Sequence, residues 1–188
     1  IIKKNLETYI DNFLACLAVI SNFVDLKNIN EKLFLNFTLP EGRGDNNYIK
    51  INKKKIKLID ESYNSNPLSL KIALNRFSNL DTKFKKKIVL LGDMLELGKF
   101  AKKLHIKSAQ DVNNASINKV YVYGKNIIHT FNKIRPQKKG RVLNSKEDVL
   151  NFLRNDIKDG EYLMIKGSNS TGLNYITKNL KSGKINAI

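Results

Sequence analysis

Three segments of the chain place polar or charged residues directly after an apolar run and before a helical pattern. The first is Ile59–Pro67, in which the neighbouring carboxylates Asp60 and Glu61 follow a predicted strand. The others are Leu90–Gly98 and Met164–Ser168. Open α/β sheets bind ligands where such groups follow their strands. A carboxylate at that place could accept both ribose hydroxyls of a nucleotide, and the N–H groups that open the next helix could bind an anion.

The chain is strongly basic, with 34 Lys and Arg against 17 Asp and Glu and a net charge of +17. Such a surplus can mark nucleic-acid binding, because Lys and Arg displace counterions from phosphates. Outside Lys53–Lys55 and Lys85–Lys87 the basic residues are scattered, and no basic stripe interleaved with aromatic residues occurs. We therefore interpret the charge as a solvated surface, which would also suit an anionic nucleotide substrate.

Cys16 is the only cysteine, which excludes a disulfide framework and a cysteine cluster for metal. It lies in an apolar helical run, so we expect it in the core. No apolar segment reaches the roughly 18 residues that span a bilayer, and no signal peptide is visible. We expect a cytoplasmic protein. The chain starts at Ile1 inside a helical pattern, which indicates a fragment.

The chain is predicted to have three parts. Residues 1–39 show helical spacing of apolar residues over about residues 5–22, and a second short helix is predicted within 30–36. Two helices cannot bury their apolar faces alone, so this part is interpreted as the tail of a preceding domain. Residues 40–47 are rich in Pro, Gly and Asn and are predicted to be a linker. Residues 48–188 form the main domain.

Strands and helices alternate in the main domain, which predicts an α/β fold with a mostly parallel sheet, flanking helices and an N-terminal hairpin. The predicted strands are Tyr48–Asn52, Ile56–Ile59, Ile88–Leu91, Val120–Tyr123 and Tyr162–Ile165, and the predicted helices lie near 67–80, 97–114, 125–133, 145–155 and 170–181. Asn66 and Pro67 predict the start of the first of these helices. Its buried stripe would be Leu70, Ala73, Leu74 and Phe77. Ser145 with Asp148 predicts a capping box.

The three polar segments, in this order, resemble the C-terminal domain of the Mur ligase family. That family carries Asp-Asp-Ser/Thr-Tyr-Asn-Ala-Asn-Pro where this chain has Asp60–Pro67, and Gly-Asp-Met-Leu-Glu-Leu-Gly at Gly92–Gly98. It carries Lys-Gly-Ser-Arg at Lys166–Asn169, where Asn169 replaces the Arg. The resemblance covers essentially the whole chain. It implies a Rossmann-like C-terminal domain preceded by the closing helices of a central ATPase domain.

Within that family the chain looks most similar to the ligases that join D-Ala-D-Ala to a UDP-N-acetylmuramoyl tripeptide in peptidoglycan synthesis. In such a ligase, ATP phosphorylates the tripeptide carboxylate and the dipeptide amine attacks the acyl phosphate. The resemblance therefore implies ATP and Mg²⁺ as cofactors, both peptides as substrates, and a role in cell shape and division. The chain has no Gly-x-x-x-x-Gly-Lys-Ser/Thr loop. We expect the phosphate loop and Mg²⁺ ligands upstream, no ATP turnover by this fragment, a monomer, and no nucleic-acid or membrane partner.

The resemblance also implies the nucleotide contacts. Glu61 aligns with the ribose-binding carboxylate of the family, and Asp60 is kept as the alternative because Glu has a longer arm than the family's Asp. Tyr63 and Asn64 would line the edge of the nucleotide. Arg43, within Glu-Gly-Arg-Gly, matches the Arg at the domain junction. Its guanidinium would contact the ATP phosphates and stabilise the transferring phosphoryl group.

Asn12 is the predicted adenine contact. Thr8–Cys16 aligns with a family helix that begins His-Asn-x-x-Asn-Ala-Leu-Ala-Ala, whose second Asn contacts adenine. Of the two Asn residues and the His, this chain retains only that second Asn. The resemblance therefore supports an adenine contact at Asn12 through one matching residue.

The substrate contacts are predicted around the second and third segments. Lys166 and Ser168 would bind the acyl phosphate or a substrate carboxylate, and the alternative for Lys166 is an ordinary lysine at a strand end. Asp93 would shape the side of the cleft that takes the dipeptide. Equally, Asp93 and Glu96 would cap the following helix. His105 is expected on a helix surface without a catalytic role.

Other functions stay open at this point. Another Mur ligase or a folylpolyglutamate-synthetase-like ligase is the nearest alternative, but its acidic turn would read closer to Asp-Tyr-Ala-His or Asp-Gly-Ala-His. Tyr63–Asn66 does not fit either pattern. A basic nucleic-acid-binding module is the alternative from a different class, and a degenerate fragment without activity is the third.

Overall fold

The structure is a computed structural model that describes residues 9–83 and 85–184. The part of the first predicted helix before residue 9 lies outside the described residues. The contacts divide the chain into two compact units, Ile1–Leu39 and Pro40–Ile188. The domain identities assigned above to the two sides of this boundary remain predictions.

Within residues 9–39, the first unit contains one α-helix, α1 (Ile10–Ile20), followed by a 3₁₀ turn at Leu26–Asn28. Phe13 is the buried residue of α1. Its ring centroid lies 4.7 Å from that of Phe34 and 5.2 Å from that of Phe37. This small aromatic cluster holds the described part of the unit together.

Two predictions for the first unit are wrong. The helix expected within 30–36 is a series of turns, whose backbone bonds join residues three apart, such as the Leu33 N–H to the Asn30 carbonyl and the Leu35 N–H to the Lys32 carbonyl. Cys16 is exposed, not in the core. Three phenylalanines cannot cover all of α1, so Leu14 and Val19 are exposed as well.

The second unit is built on a six-stranded sheet in the order β1-β2-β6-β3-β4-β5. β1 runs antiparallel to β2, and all other neighbouring pairs are parallel. The strands are β1 (Asp45–Ile51), β2 (Lys54–Glu61), β3 (Lys87–Gly92), β4 (Lys119–Tyr123), β5 (Lys139–Leu143) and β6 (Tyr162–Lys166). The helices are α2 (Pro67–Ser78), α3 (Ala101–Asn114), α4 (Ile127–Asn132), α5 (Lys146–Asn151) and α6 (Leu173–Lys181). The predicted α/β fold class is confirmed.

Helices cover both faces of the sheet. On β3, Ile88 and Leu90 pack into the cluster with α5 and α6, whereas Val89 and Leu91 pack into the cluster with α2 and α3. A parallel strand covered in this way is apolar throughout, and β3 is buried over its whole length. The carboxyl ends of β2, β3 and β6 therefore lie together at one edge of a rigid layer.

The start of α2 agrees with its prediction. The Asn66 side chain accepts the Ser69 N–H, and the Ser69 hydroxyl accepts the Asn66 N–H, which forms a capping box before Pro67. The helix buries the predicted stripe of Leu70, Ala73, Leu74 and Phe77. The capping box predicted at Ser145 and Asp148 is also present, at the start of α5.

Two edges of the sheet differ from the prediction. β1 begins at Asp45, inside the predicted linker, because Asp45 is the register partner of Asp60 and extends the hairpin. β5 is a strand that the sequence pattern did not reveal. It is short, and Gly140 lies so close to the ring of Tyr121 that a Cβ there would come within 2.8 Å of a ring atom.

Lysines at the amino ends of the strands bind the carbonyl groups that end the helices. The Nζ of Lys138 donates to the Asn113 and Ala115 carbonyls at the end of α3, and that of Lys87 donates to the Ser78 carbonyl of α2. The Nζ of Lys54 binds the Arg154 and Ile157 carbonyls beyond α5, and that of Lys139 binds the Asn132 carbonyl of α4. Cations are favoured at helix C-termini. Part of the basic surplus therefore has an internal, structural use.

Candidate functional site

β2 ends in Asp60 and Glu61, whose side chains leave the strand toward opposite faces. Asp60 is buried. Its Oδ1 accepts the N–H and the hydroxyl of Ser62, at 3.0 and 2.6 Å, and its Oδ2 lies 2.7 Å from the Nζ of Lys181 on α6. Both carboxylate oxygens are already engaged, so Asp60 has a structural role in this geometry.

Glu61 faces α2 and β6 instead. Its Oε1 lies 3.6 Å from the Nη1 of Arg76, and its Oε2 lies 3.8 Å from the Nζ of Lys166. Burial raises the pKa of Glu61 above its ordinary value, while the two cations oppose that shift. Both distances exceed a normal hydrogen bond. The side chain is 12% exposed, so the carboxylate retains capacity to accept hydroxyl donors from a ligand.

Lys166 is buried at the end of β6. Its Nζ donates to the Asn64 carbonyl at 2.9 Å and pairs with Glu61. Burial lowers the pKa of Lys166, Glu61 raises it, and nearby Arg43 lowers it further. The ammonium therefore supports the turn from Glu61 to Asn64, and a substrate carboxylate could reach it only if that turn moved.

The loop that enters β1 lies directly against the acidic turn. The Gly42 carbonyl accepts the Tyr63 N–H at 3.1 Å, and the Gly44 N–H donates to the Asp60 carbonyl at 2.7 Å. Both glycines have positive φ, and a Cβ on Gly42 would lie 2.9 Å from the Tyr63 nitrogen. A Cβ on Gly44 would lie 2.9 Å from the Oε1 of Glu61. Both positions therefore require glycine.

Arg43, between these glycines, is exposed and lies over Tyr63, with 4.5 Å from its guanidinium carbon to the ring centroid. Tyr63 is itself half exposed. Asn64 is exposed, and its Oδ1 accepts the Ser65 N–H. The structure thus brings an exposed guanidinium, an aromatic face and a partly buried carboxylate into one site. Such groups suit the phosphates, the base or sugar face, and the hydroxyls of a nucleotide.

Ser168 joins the three loops that follow β2, β3 and β6. Its Oγ accepts the Leu95 N–H at 2.9 Å and donates to the Ser65 carbonyl at 3.3 Å. Its backbone N–H donates to the Asp93 carbonyl at 3.0 Å. The hydroxyl predicted to bind substrate is therefore occupied inside the protein.

Asp93 is also occupied by internal donors. Its carboxylate accepts the N–H groups of Lys125, Asn126 and Ile127, at 3.1, 2.9 and 2.7 Å. One of the two predictions for Asp93 is that it caps the following helix. Asp93 does cap a helix, but that helix is α4 and not the next one along the chain. Glu96 is exposed with a φ of 63°.

His105 is fully buried, so its predicted place on a helix surface is wrong. Its Nε2 accepts the Met94 N–H at 3.1 Å, and its Nδ1 lies 2.8 Å from the Ala101 carbonyl. These partners assign the neutral ring with the proton on Nδ1. Burial lowers the pKa of His105. The ring fastens the loop after β3 to α3.

Arg76 and Asn12 complete the set of site candidates. Sequence reasoning missed Arg76; the available signal was a cation beside the buried stripe of α2, in the last turn of that helix. Asn12 is exposed on α1, in the first compact unit, and its adenine contact stays a prediction.

A cavity of about 290 Å³ adjoins the acidic turn on the side of α6. Its lining includes Asp60, Ser62 and Tyr63 of the acidic turn and Asn169, Asn174 and Thr177 near α6. The Asn174 side chain donates to the Asn169 side chain. The cavity therefore lies on the Asp60 side of the strand end, next to the half-exposed ring of Tyr63.

Over residues 9–83 and 85–184, no group of three or more His, Cys, Asp or Glu could hold a metal ion. No helix within those ranges combines the length and apolarity that a membrane crossing requires.

The family model described as Mur ligase, glutamate ligase domain, matches residues 48–169. Two curated relatives have the name UDP-N-acetylmuramoyl-tripeptide–D-alanyl-D-alanine ligase. The relative from Bacillus subtilis (strain 168) is 29% identical over 128 residues, which cover 66% of this chain and 28% of the relative. The relative from Rickettsia prowazekii (strain Madrid E) is 25% identical over 168 residues, which cover 89% of this chain and 36% of the relative. The matched chain thus spans about a third of these relatives.

Solved structures show the same fold. Crystal structure I of MurF from Acinetobacter baumannii has a TM-score of 0.72 at 22% identity, over 94% of this chain and 38% of that one. The MurF ligase from Thermotoga maritima in complex with ADP has a TM-score of 0.70 at 18% identity, over 91% of this chain and 37% of that one. The sheet and its helices are therefore arranged as in the corresponding part of those structures.

Proposed function

This chain belongs to the Mur ligase family, and we propose that it is the C-terminal part of a ligase that adds D-Ala-D-Ala to a UDP-N-acetylmuramoyl tripeptide. Mur ligases are ATP-dependent ligases. The names of the curated relatives support the choice of the dipeptide as acceptor. The observation that carries the proposal is the meeting of Arg43, Glu61 and Tyr63 at the carboxyl edge of the sheet.

Glu61 is the proposed acceptor of the ribose hydroxyls. Its carboxylate is partly open and its two cations lie beyond hydrogen-bond length, whereas both oxygens of Asp60 are engaged by Ser62 and Lys181. Tyr63 and Asn64, both exposed beside Glu61, would line the edge of the nucleotide.

Arg43 is the proposed phosphate contact. Its guanidinium is exposed over the Tyr63 ring, and the glycines on either side of it have positive φ, a backbone conformation that favours glycine. A planar charge-assisted donor suits the oxygens of a transferring phosphoryl group. Lys166, which is buried, would contribute by keeping Glu61 and the Asn64 carbonyl in place. Bound ATP would supply the phosphoryl group that activates the tripeptide carboxylate.

The proposal gives this chain no Mg²⁺ ligand. We propose that the phosphate loop and the metal ligands belong to another domain, and that this chain alone does not hydrolyse ATP. The reaction would take place in the cytoplasm, where ATP and nucleotide-linked precursors are available.

A fused ligase tests this function. Residues 40–188 replace the matching C-terminal segment of the Bacillus subtilis relative, and the release of phosphate from ATP is measured with the UDP-linked tripeptide. We expect release that depends on D-Ala-D-Ala and that meso-diaminopimelate or D-glutamate does not support. The unmodified Bacillus subtilis relative, which has its own C-terminal segment, is the control for the effect of the replacement.

Variants of the fused ligase show whether the proposed site is used. Glu61→Gln should raise the KM for ATP by about tenfold, because hydrogen bonds to charged acceptors contribute roughly 1.5–3 kcal/mol. Glu147→Gln is the matched control, since Glu147 also pairs with an arginine but lies on α5. Release with another amino acid in place of the dipeptide would reject the proposed acceptor.

A further inference from the structure

Arg76 holds the Glu61 carboxylate from the side opposite Lys166. The Nη1 of Arg76 lies 3.6 Å from Oε1, and the Nζ of Lys166 lies 3.8 Å from Oε2. Arg76 belongs to the last turn of α2, whereas Lys166 ends β6. Two cations on different elements therefore attract the two oxygens at ion-pair distances longer than a hydrogen bond, and rotation of the carboxylate would weaken both contacts.

Gly44 closes a third side of this ion pair. A Cβ at Gly44 would lie 2.9 Å from the Oε1 of Glu61 and 3.0 Å from the Nη1 of Arg76. The backbone of the loop thus packs directly on the paired groups. The Glu61 side chain is 12% exposed, so part of it remains open to solvent.

We propose that Arg76 is a positioning residue that directs the Glu61 carboxylate toward the ribose hydroxyls of a bound adenine nucleotide; this inference rests on the proposed function. A glutamate has three side-chain torsions, and only some of its rotamers present the carboxylate at the opening. Arg76 favours these rotamers because it attracts Oε1, and its rigid planar guanidinium limits the other positions that the carboxylate can take. Arg76 itself does not touch the nucleotide.

The test measures the binding of ADP and of 2′,3′-dideoxy-ADP to the full 188-residue chain by NMR titration. The unmodified chain should prefer ADP. Arg76→Gln and Arg76→Met should lose that preference, with ADP binding weakened about fivefold to tenfold, as expected for coupling between contacting groups. Binding of the dideoxy analogue should change less than about twofold. Arg76→Lys should retain part of the preference because the charge remains.

Arg154→Gln is the matched control. Arg154 also pairs with a glutamate, at 3.4 Å from Glu147, and its carbonyl binds Lys54 at the amino end of β2. It therefore lies at the opposite end of the strand from Glu61, and its loss should leave the preference for ADP unchanged. Backbone amide spectra show whether each variant is folded.

The outcomes separate this inference from the function on which it rests. If either folded variant, Arg76→Gln or Arg76→Met, keeps the full preference while Glu61→Gln loses it, the positioning role is wrong. If Glu61→Gln also keeps the preference, or the unmodified chain shows none, the ribose role of Glu61 is wrong, and the role of Arg76 falls with it.

Discussion

Glu61 and Lys166 are register partners on β2 and β6, and their charged groups lie 3.8 Å apart at the carboxyl edge of the sheet. The pair joins two segments that are far apart in the sequence. Lys166 also holds the Asn64 carbonyl, so one ammonium fixes both the acid and the turn that follows it. This pair makes the candidate site part of the folded core.

Lys166→Met should destabilise the protein by about 3 kcal/mol, the range for breaking a buried ion pair, because it leaves the partly buried Glu61 carboxylate with Arg76 alone as a neighbouring cation. Urea unfolding measures this change. The double variant Lys166→Met with Glu61→Gln should recover part of the loss, since no carboxylate charge is then buried at this site. A single variant as stable as the unmodified chain would show that the pair contributes no stability.

His105 should make stability depend on pH. Its pKa is lowered in the folded state by burial, so the folded protein favours the neutral ring more than the unfolded chain does. The stability it contributes is present above the unfolded pKa of about 6.5 and falls as the pH drops below it toward the lowered folded value. Urea unfolding from pH 7.5 to 5.5 measures the effect. His105→Gln should flatten the profile; the same profile in His105→Gln would assign it to other groups.

Asp60→Asn should weaken the fold by about 3 kcal/mol, the range for a broken buried ion pair. Its Oδ2 lies 2.7 Å from Lys181, which ties α6 to the hairpin. The preference for ADP over 2′,3′-dideoxy-ADP should remain, measured by the same NMR titration. A stable Asp60→Asn chain without that preference would place the ribose contact on Asp60 and reject Glu61.

Arg43→Ala in the fused ligase should lower kcat by roughly 100-fold, the range for a lost donor to a developing charge. Its side chain is exposed over Tyr63, so the melting temperature should change little. Arg43→Lys, which keeps the charge without the planar fork, should give an intermediate kcat. An unchanged kcat in folded Arg43→Ala would make Arg43 an ordinary surface residue.

The sequence alone determined the elements whose causes are local. Asn66 and Pro67 start α2, and the apolar spacing of that helix identifies its buried face. The apolar strand cores and the alternation of strands with helices predicted the parallel sheet. These features depend on neighbours within one or two turns, so a short window of sequence contains the physical cause.

The tertiary structure alone decided which polar groups remain available. Asp60 and Glu61 are adjacent and chemically alike, yet one pairs with Lys181 and the other with Arg76 and Lys166. Similarly, His105 of α3 is buried under the loop that follows β3, although its position on a helix predicted an exposed side chain. The partner of a long polar side chain depends on which distant elements pack beside it. No local pattern contains that information, because it exists only once the sheet is assembled.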